Sequence, residues 1–155
     1  MGSTNSNISM MWIVWGSLLA SVFIYGIVGY VVTAEPSEAL NSEIVPTLFP
    51  ILALLSVMIL PLILFFRKMM LYGPLENGAI ETIEQLRTRA FTPYMVSWAL
   101  SESVAIYGFL LTFLSYNMDY YFGFTAWSIV LFAIFRPNMA ALEEKFYRRH
   151  PELRN

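Results

Sequence analysis

An all-α integral membrane protein is the fold class this sequence predicts: a four-helix up-and-down bundle with both termini cytoplasmic. Three observations carry it. The chain of 155 residues is 57% hydrophobic and only 13% charged, where soluble domains carry about a quarter charged residues; its mean hydropathy is +0.60. Four apolar runs meet or approach the roughly 20 residues that a membrane helix needs. Every Lys and Arg falls on one side of the topology those runs imply. The whole chain, 1–155, reads as one membrane domain.

The N-terminal "MGSTNS" fits the short myristoylation pattern, but an ordinary polar N-terminus is the expected reading. The first run, 10–33, has no charge before Glu35. Val32-Thr33-Ala34 loosely fits a signal-peptide cleavage site. The run is longer than an h-region and lacks a basic n-region, so a retained helix is expected. Gly16, Gly26 and Gly29, with Tyr25 and Tyr30, offer packing surfaces on it.

The second run, 44–66, is closed by Arg67 and Lys68. Pro46 and Pro50 fall in its first turns, where a missing N–H matters little. Pro61 lies inside and predicts a kink. After turn signals at Gly73-Pro74 and Asn77-Gly78, the segment 79–92 places Ile80, Ile83 and Leu86 at helical spacing. It reads as a short amphipathic cytoplasmic helix, either docking a partner or lying on the bilayer surface. Glu84 and Arg87, three apart, can pair on one face.

The third run, 93–116, is interrupted only by Glu102. The fourth, 120–135, is the shortest, and Tyr120, Tyr121 and Phe122 supply an interfacial belt at its start. Arg136 and Pro137 close it. The tail 138–155 mixes both signs of charge and reads as a helix facing solvent or headgroups. His150 is the single histidine, beside Pro151, and is assigned no chemistry.

The nine basic residues lie between runs two and three or after run four, while the segment 34–43 holds Glu35, Glu38 and Glu43 and no basic residue. The positive-inside rule then places both termini in the cytoplasm, and the expected location is the cell's inner (plasma) membrane. A net charge of -2 gives no sign of nucleic-acid binding, and the absence of cysteine removes thiol chemistry. No soluble segment is large enough for an active site, and no His/Glu metal constellation or glycine-rich phosphate loop is present. An enzyme is not expected, and no resident cofactor beyond a bound proton or sodium ion. Asp119 and the acidic outer segment read as solvated turns.

Glu102 is the residue that needs explaining. It falls near the middle of the third run, where a carboxylate costs a few kcal/mol on the lenient insertion scale. Protonation removes most of that cost. Such a group is either a proton or sodium site or a neutral acid that hydrogen-bonds helices together. Ser103 adjoins it and Tyr107 is five residues on. Tyr94, Ser97 and Ser101 repeat at three and four as a second polar stripe, and Gly108 allows close helix approach.

The stretch "ALSESVAIYGFLL" resembles the outer helix of the c subunit, or proteolipid, of rotary ATP synthases. Ala99, Glu102, Ile106, Tyr107 and Gly108 fit its A-x-x-E-x-x-x-I/L-Y-G pattern. The resemblance implies an ion-binding trio of Glu102, Ser103 and Tyr107, taking a proton or sodium ion. About a dozen residues carry it. Run two has no glycine repeat and no Gln, and the chain adds a first and a fourth helix. The expectation is therefore a four-helix relative with a c-like third helix, working beside a partner membrane complex or as a homo-oligomer. The alternative is a structural or assembly protein, with Glu102 as an interhelical hydrogen-bonding residue. A stand-alone channel or transporter fits least well, with one buried charge on four helices.

Overall fold

The computed structural model describes residues 3–34 and 43–151, with side chains from Ser9 onward in the first helix. Met1 and Gly2 of the myristoylation pattern, Glu35 and Glu38, and the last residues of the tail lie outside the described residues. The elements in chain order are α1 (Ser3–Ala34), α2 (Val45–Arg67), a π-helical turn (Lys68–Tyr72), α3 (Gly73–Glu76), α4 (Ile83–Ser115), α5 (Met118–Ile134) and α6 (Met139–Arg149). No strand occurs among the described residues. Four stretches are long and apolar enough to cross a membrane: Ser9–Ala34, Val45–Glu76, Ile83–Ser115 and Met118–Arg149. A multi-pass membrane protein has this form.

The surface agrees with that reading. Ile13, Ile27 and Val31 of α1 point outward, as do Leu54, Val57 and Phe65 of α2. In water such a continuous apolar surface would drive association. In lipid it costs nothing, and the helix backbones satisfy their own hydrogen bonds.

Helix α4 is longer than expected. From Ile83 on, the amphipathic segment and the third apolar run are one helix, with no break between them. Thr82 begins it, its side chain accepting from the Gln85 amide at 3.2 Å, while Gln85 Oε1 accepts from the Glu81 amide at 3.1 Å. Pro93 sits inside and removes one backbone donor. Its carbonyl still accepts from Ser97 Oγ at 2.6 Å. Leu86, Ala90 and Tyr94 are buried on either side, and that packing holds the helix through the proline. Helix α2 likewise continues through Pro61 to Arg67, and a π-helical turn follows at Lys68–Tyr72.

Two more expectations need correction. Arg87 pairs with Glu143 of α6, its Nε at 2.7 Å, rather than with Glu84. The tail helix is not simply solvated: Met139, Leu142 and Phe146 are buried in a cluster with Leu71, Leu75, Leu86 and Trp98. A second cluster joins Ile59 and Ile63 of α2 to Val104 and Leu111 of α4 and Leu131 of α5.

Helices α4 and α5 are antiparallel, and their register is legible from one end to the other. Trp98 Nε1 donates to the Phe135 carbonyl at 2.8 Å, and Ser128 Oγ donates to the Ser101 carbonyl at 2.7 Å. At the far end Thr112 Oγ1 donates to the Asn117 carbonyl at 3.0 Å and accepts from the Tyr121 amide at 3.1 Å. The turn uses Tyr116 at φ 54°, and the Asn117 side chain caps α5 at the Asp119 amide. Midway, a Cβ on Gly108 would stand 2.7 Å from Phe124 Cβ and 3.1 Å from the Tyr120 carbonyl. Glycine there lets the two backbones meet, as the sequence implied.

Candidate functional site

Helix α1 docks in the groove beside α4 and α5 and builds the surroundings of Glu102. A Cβ on Gly26 would stand 2.8 Å from the Tyr121 hydroxyl, which donates to the Val22 carbonyl. Gly29 faces Met118, whereas Gly16 faces open space. Trp15 Nε1 donates to the Phe132 carbonyl at 3.3 Å. These contacts fix the rotation of α1 and turn Ser21 and Tyr25, one turn apart, toward α4.

Both hydroxyls reach one oxygen of Glu102. Tyr25 donates to Oε1 at 2.9 Å, and Ser21 Oγ is hydrogen-bonded to the same oxygen. The Tyr25 ring rests against Phe109, with centroids 5.9 Å apart. All three polar residues are half-buried, so the cluster lies in a seam between helices and not in a sealed core. At about 1.5 Å rise per residue, Glu102 lies about 12 Å along α4 from Tyr94 and about 20 Å from Ser115. Together these lengths match a hydrocarbon core about 30 Å thick.

Ser21 adds a proton-counting constraint. Its Oγ is also 2.7 Å from the Leu18 carbonyl. A hydroxyl has one hydrogen to give, and a carbonyl only accepts. Two arrangements fit the same heavy atoms. With an ionised carboxylate, Ser21 and Tyr25 both donate to Oε1. With a protonated carboxyl, Glu102 donates from Oε1 to Ser21, and Ser21 turns its hydrogen to Leu18. One hydroxyl rotation separates the two, so the frame accommodates the carboxyl in either state.

The three residues drawn together by the c-subunit resemblance are placed differently. Ser103 Oγ donates to the Leu100 carbonyl of its own helix at 2.8 Å. Tyr107 packs in the second hydrophobic cluster, toward α2. The hydrogen bonds of Glu102 come instead from Ser21 and Tyr25. The second polar stripe faces α5: Ser97 and Ser101 are buried and bond along their own helix. No group of three or more His, Cys, Asp or Glu that could hold a metal occurs among the described residues. Comparison with protein-family models, curated proteins and solved structures gives no match.

Proposed function

We propose that this chain is a multi-pass membrane protein that binds and releases a proton at Glu102, with Ser21 and Tyr25 as the residues that hold the carboxyl. The carrying observation is the two-donor frame on Oε1, whose hydroxyls can serve either protonation state without moving an atom heavier than hydrogen. The reading keeps a c-like chemistry while replacing two of the expected partners. A sodium ion is the weaker ligand for this frame, because it needs a shell of several oxygens and Ser103 and Tyr107 are turned elsewhere.

The half-buried seam leaves the carboxyl reachable from the lipid side. Among the described residues no arginine hydrogen-bonds or pairs with Glu102 to discharge it, so coupled transfer takes a partner membrane protein or a second copy. The basic residues gather where α2 and α5 end and α4 begins. That end faces the cytoplasm of an inner membrane on this reading, with both termini inside.

A hydrophobic carbodiimide, which attacks protonated carboxyls in apolar surroundings, tests the proposal. The detergent-purified protein labels at Glu102, labelling falls as pH rises, and Glu102→Gln abolishes it. Suppression by sodium but not potassium would move the assignment to sodium. Absence of labelling, together with a lower thermal stability of Glu102→Gln, would leave Glu102 as a tie between α1 and α4.

A further inference from the structure

A second polar site lies at the basic end, away from Glu102. A cavity of about 710 Å³ opens there between the end of α2, the start of the membrane part of α4 and the α5–α6 corner. Among the described residues three cations line it, Arg67, Arg136 and Lys145, and no Asp or Glu does. Arg67 is the unusual member. It is 7% exposed, yet its Nε is buried without a hydrogen-bond partner. Its guanidinium lies over the Tyr94 ring at 4.3 Å and near that of Phe135 at 5.2 Å. Ring faces attract the cation but offer no acceptor to its N–H groups.

A buried guanidinium normally meets a carboxylate or a phosphate. Of the three cations Lys145 is already paired, its Nζ 3.4 Å from Glu76, whereas no ion pair to Arg67 occurs among the described residues. Arg136 is exposed and forms no ion pair among the described residues. Asn138 and Ala141 at the N-terminus of α6 line the same cavity; the Asn138 side chain accepts from the Ala141 amide at 3.2 Å, and the first turn contains no acidic residue. That end of a helix favours negative charge.

We propose that this cavity binds a phosphate group, with Arg67 as the buried ligand and Arg136 as the exposed one. Two sources share that chemistry: the headgroup of an anionic phospholipid and a soluble phosphate compound. Ile134 is 55% exposed on the cavity wall, in position to continue into acyl chains. The site stands independently of the proton reading of Glu102.

The test uses the full chain, delipidated in neutral detergent. Native mass spectrometry follows retention of phosphatidylglycerol against phosphatidylcholine, with inorganic phosphate as competitor. Wild type retains phosphatidylglycerol preferentially, and removing one cation weakens that retention about fivefold. Arg67→Gln reads the buried ligand. Arg136→Gln, at an exposed position, keeps the test readable should Arg67→Gln not fold. Arg148→Gln, outside the cavity, leaves retention unchanged. Resistance to millimolar phosphate assigns the site to a headgroup, and displacement assigns it to a soluble phosphate compound. Equal retention of the two lipids with no phosphate binding would overturn the site. So would phosphatidylglycerol retention that both cavity variants leave intact.

Discussion

Helix α4 forms two seams, and they solve the problem of polar groups in hydrocarbon differently. Against α5 it is closed: Ser97, Ser101 and Ser128 are buried, and each hydroxyl donates to a backbone carbonyl. Nothing there changes charge. Against α1 it is half-open and carries a carboxyl held by two hydroxyls from the facing helix. Small hydroxyls that return to the backbone let helices approach and then take no further part. A carboxyl held only by groups that can turn stays available to react. The first seam is architecture, and the second is where chemistry has room to occur.

The closed seam should be the easier to break. Gly108→Leu drives a side chain into Phe124 and the Tyr120 backbone, and is expected to cost about 3 kcal/mol or prevent folding. Thermal unfolding in detergent measures it. Gly123→Leu is the paired control: a Cβ there meets nothing within 4 Å, so its effect stays within about 0.5 kcal/mol. Equal losses at the two positions would show that the α4–α5 approach is looser than described.

The open seam should break separately. Gly26→Leu displaces the buried Tyr121 ring and its bond to Val22, at a cost of about 1.5 kcal/mol. Because the α4–α5 contacts survive, protease protection is lost first in α1. Uniform loss along the chain would mean that the two seams unfold as one.

How much of this was legible beforehand follows from what each feature depends on. The four runs depend on composition and length alone, and all four were visible. Gly108 was visible because a glycine six residues from a carboxylate on the same helix is a local pattern. Ser21 and Tyr25 were not connected to Glu102, although Ser17, Ser21, Tyr25, Gly29 and Thr33 recur every four residues on α1. That stripe marks a face, but which helix it meets is set by the Tyr121–Val22 and Trp15–Phe132 contacts between distant residues. The fusion of 79–92 with the third run was hidden for a related reason. Pro93 signals a boundary locally, and the buried neighbours that override it come from α6 and the turn before α3. Arg67 read only as a charge closing the second run; its burial appears only once Tyr94 and Phe135 close over it.

Single hydrogen bonds sharpen the contrast at smaller cost. Tyr25→Phe and Ser128→Ala each remove one interhelical bond, worth about 0.6 kcal/mol in membrane proteins. Their stability effects should be alike, while their effects on Glu102 differ. Tyr25→Phe alters the rate of carbodiimide labelling, and Ser128→Ala leaves it as in wild type. The Tyr25→Phe, Glu102→Gln double-mutant cycle should show a coupling of similar size. Zero coupling would mean that the Tyr25 hydroxyl is satisfied elsewhere.

The smallest expected effects belong to Ser103 and Tyr107, and they discriminate best between this seam and the c-subunit pattern. If that pattern governed the site, both side chains would hold the carboxyl, and removing either hydroxyl would change its reactivity as much as Tyr25→Phe does. In this fold Ser103 gives its hydrogen to Leu100, and Tyr107 stands in the cluster toward α2. Ser103→Ala and Tyr107→Phe should therefore leave labelling at Glu102 within about twofold of wild type and stability within about 0.5 kcal/mol. A large change in both would move the site to the α2 side of α4. Ser21 and Tyr25 would then be packing residues, and the open seam against α1 would lose its claim to the chemistry.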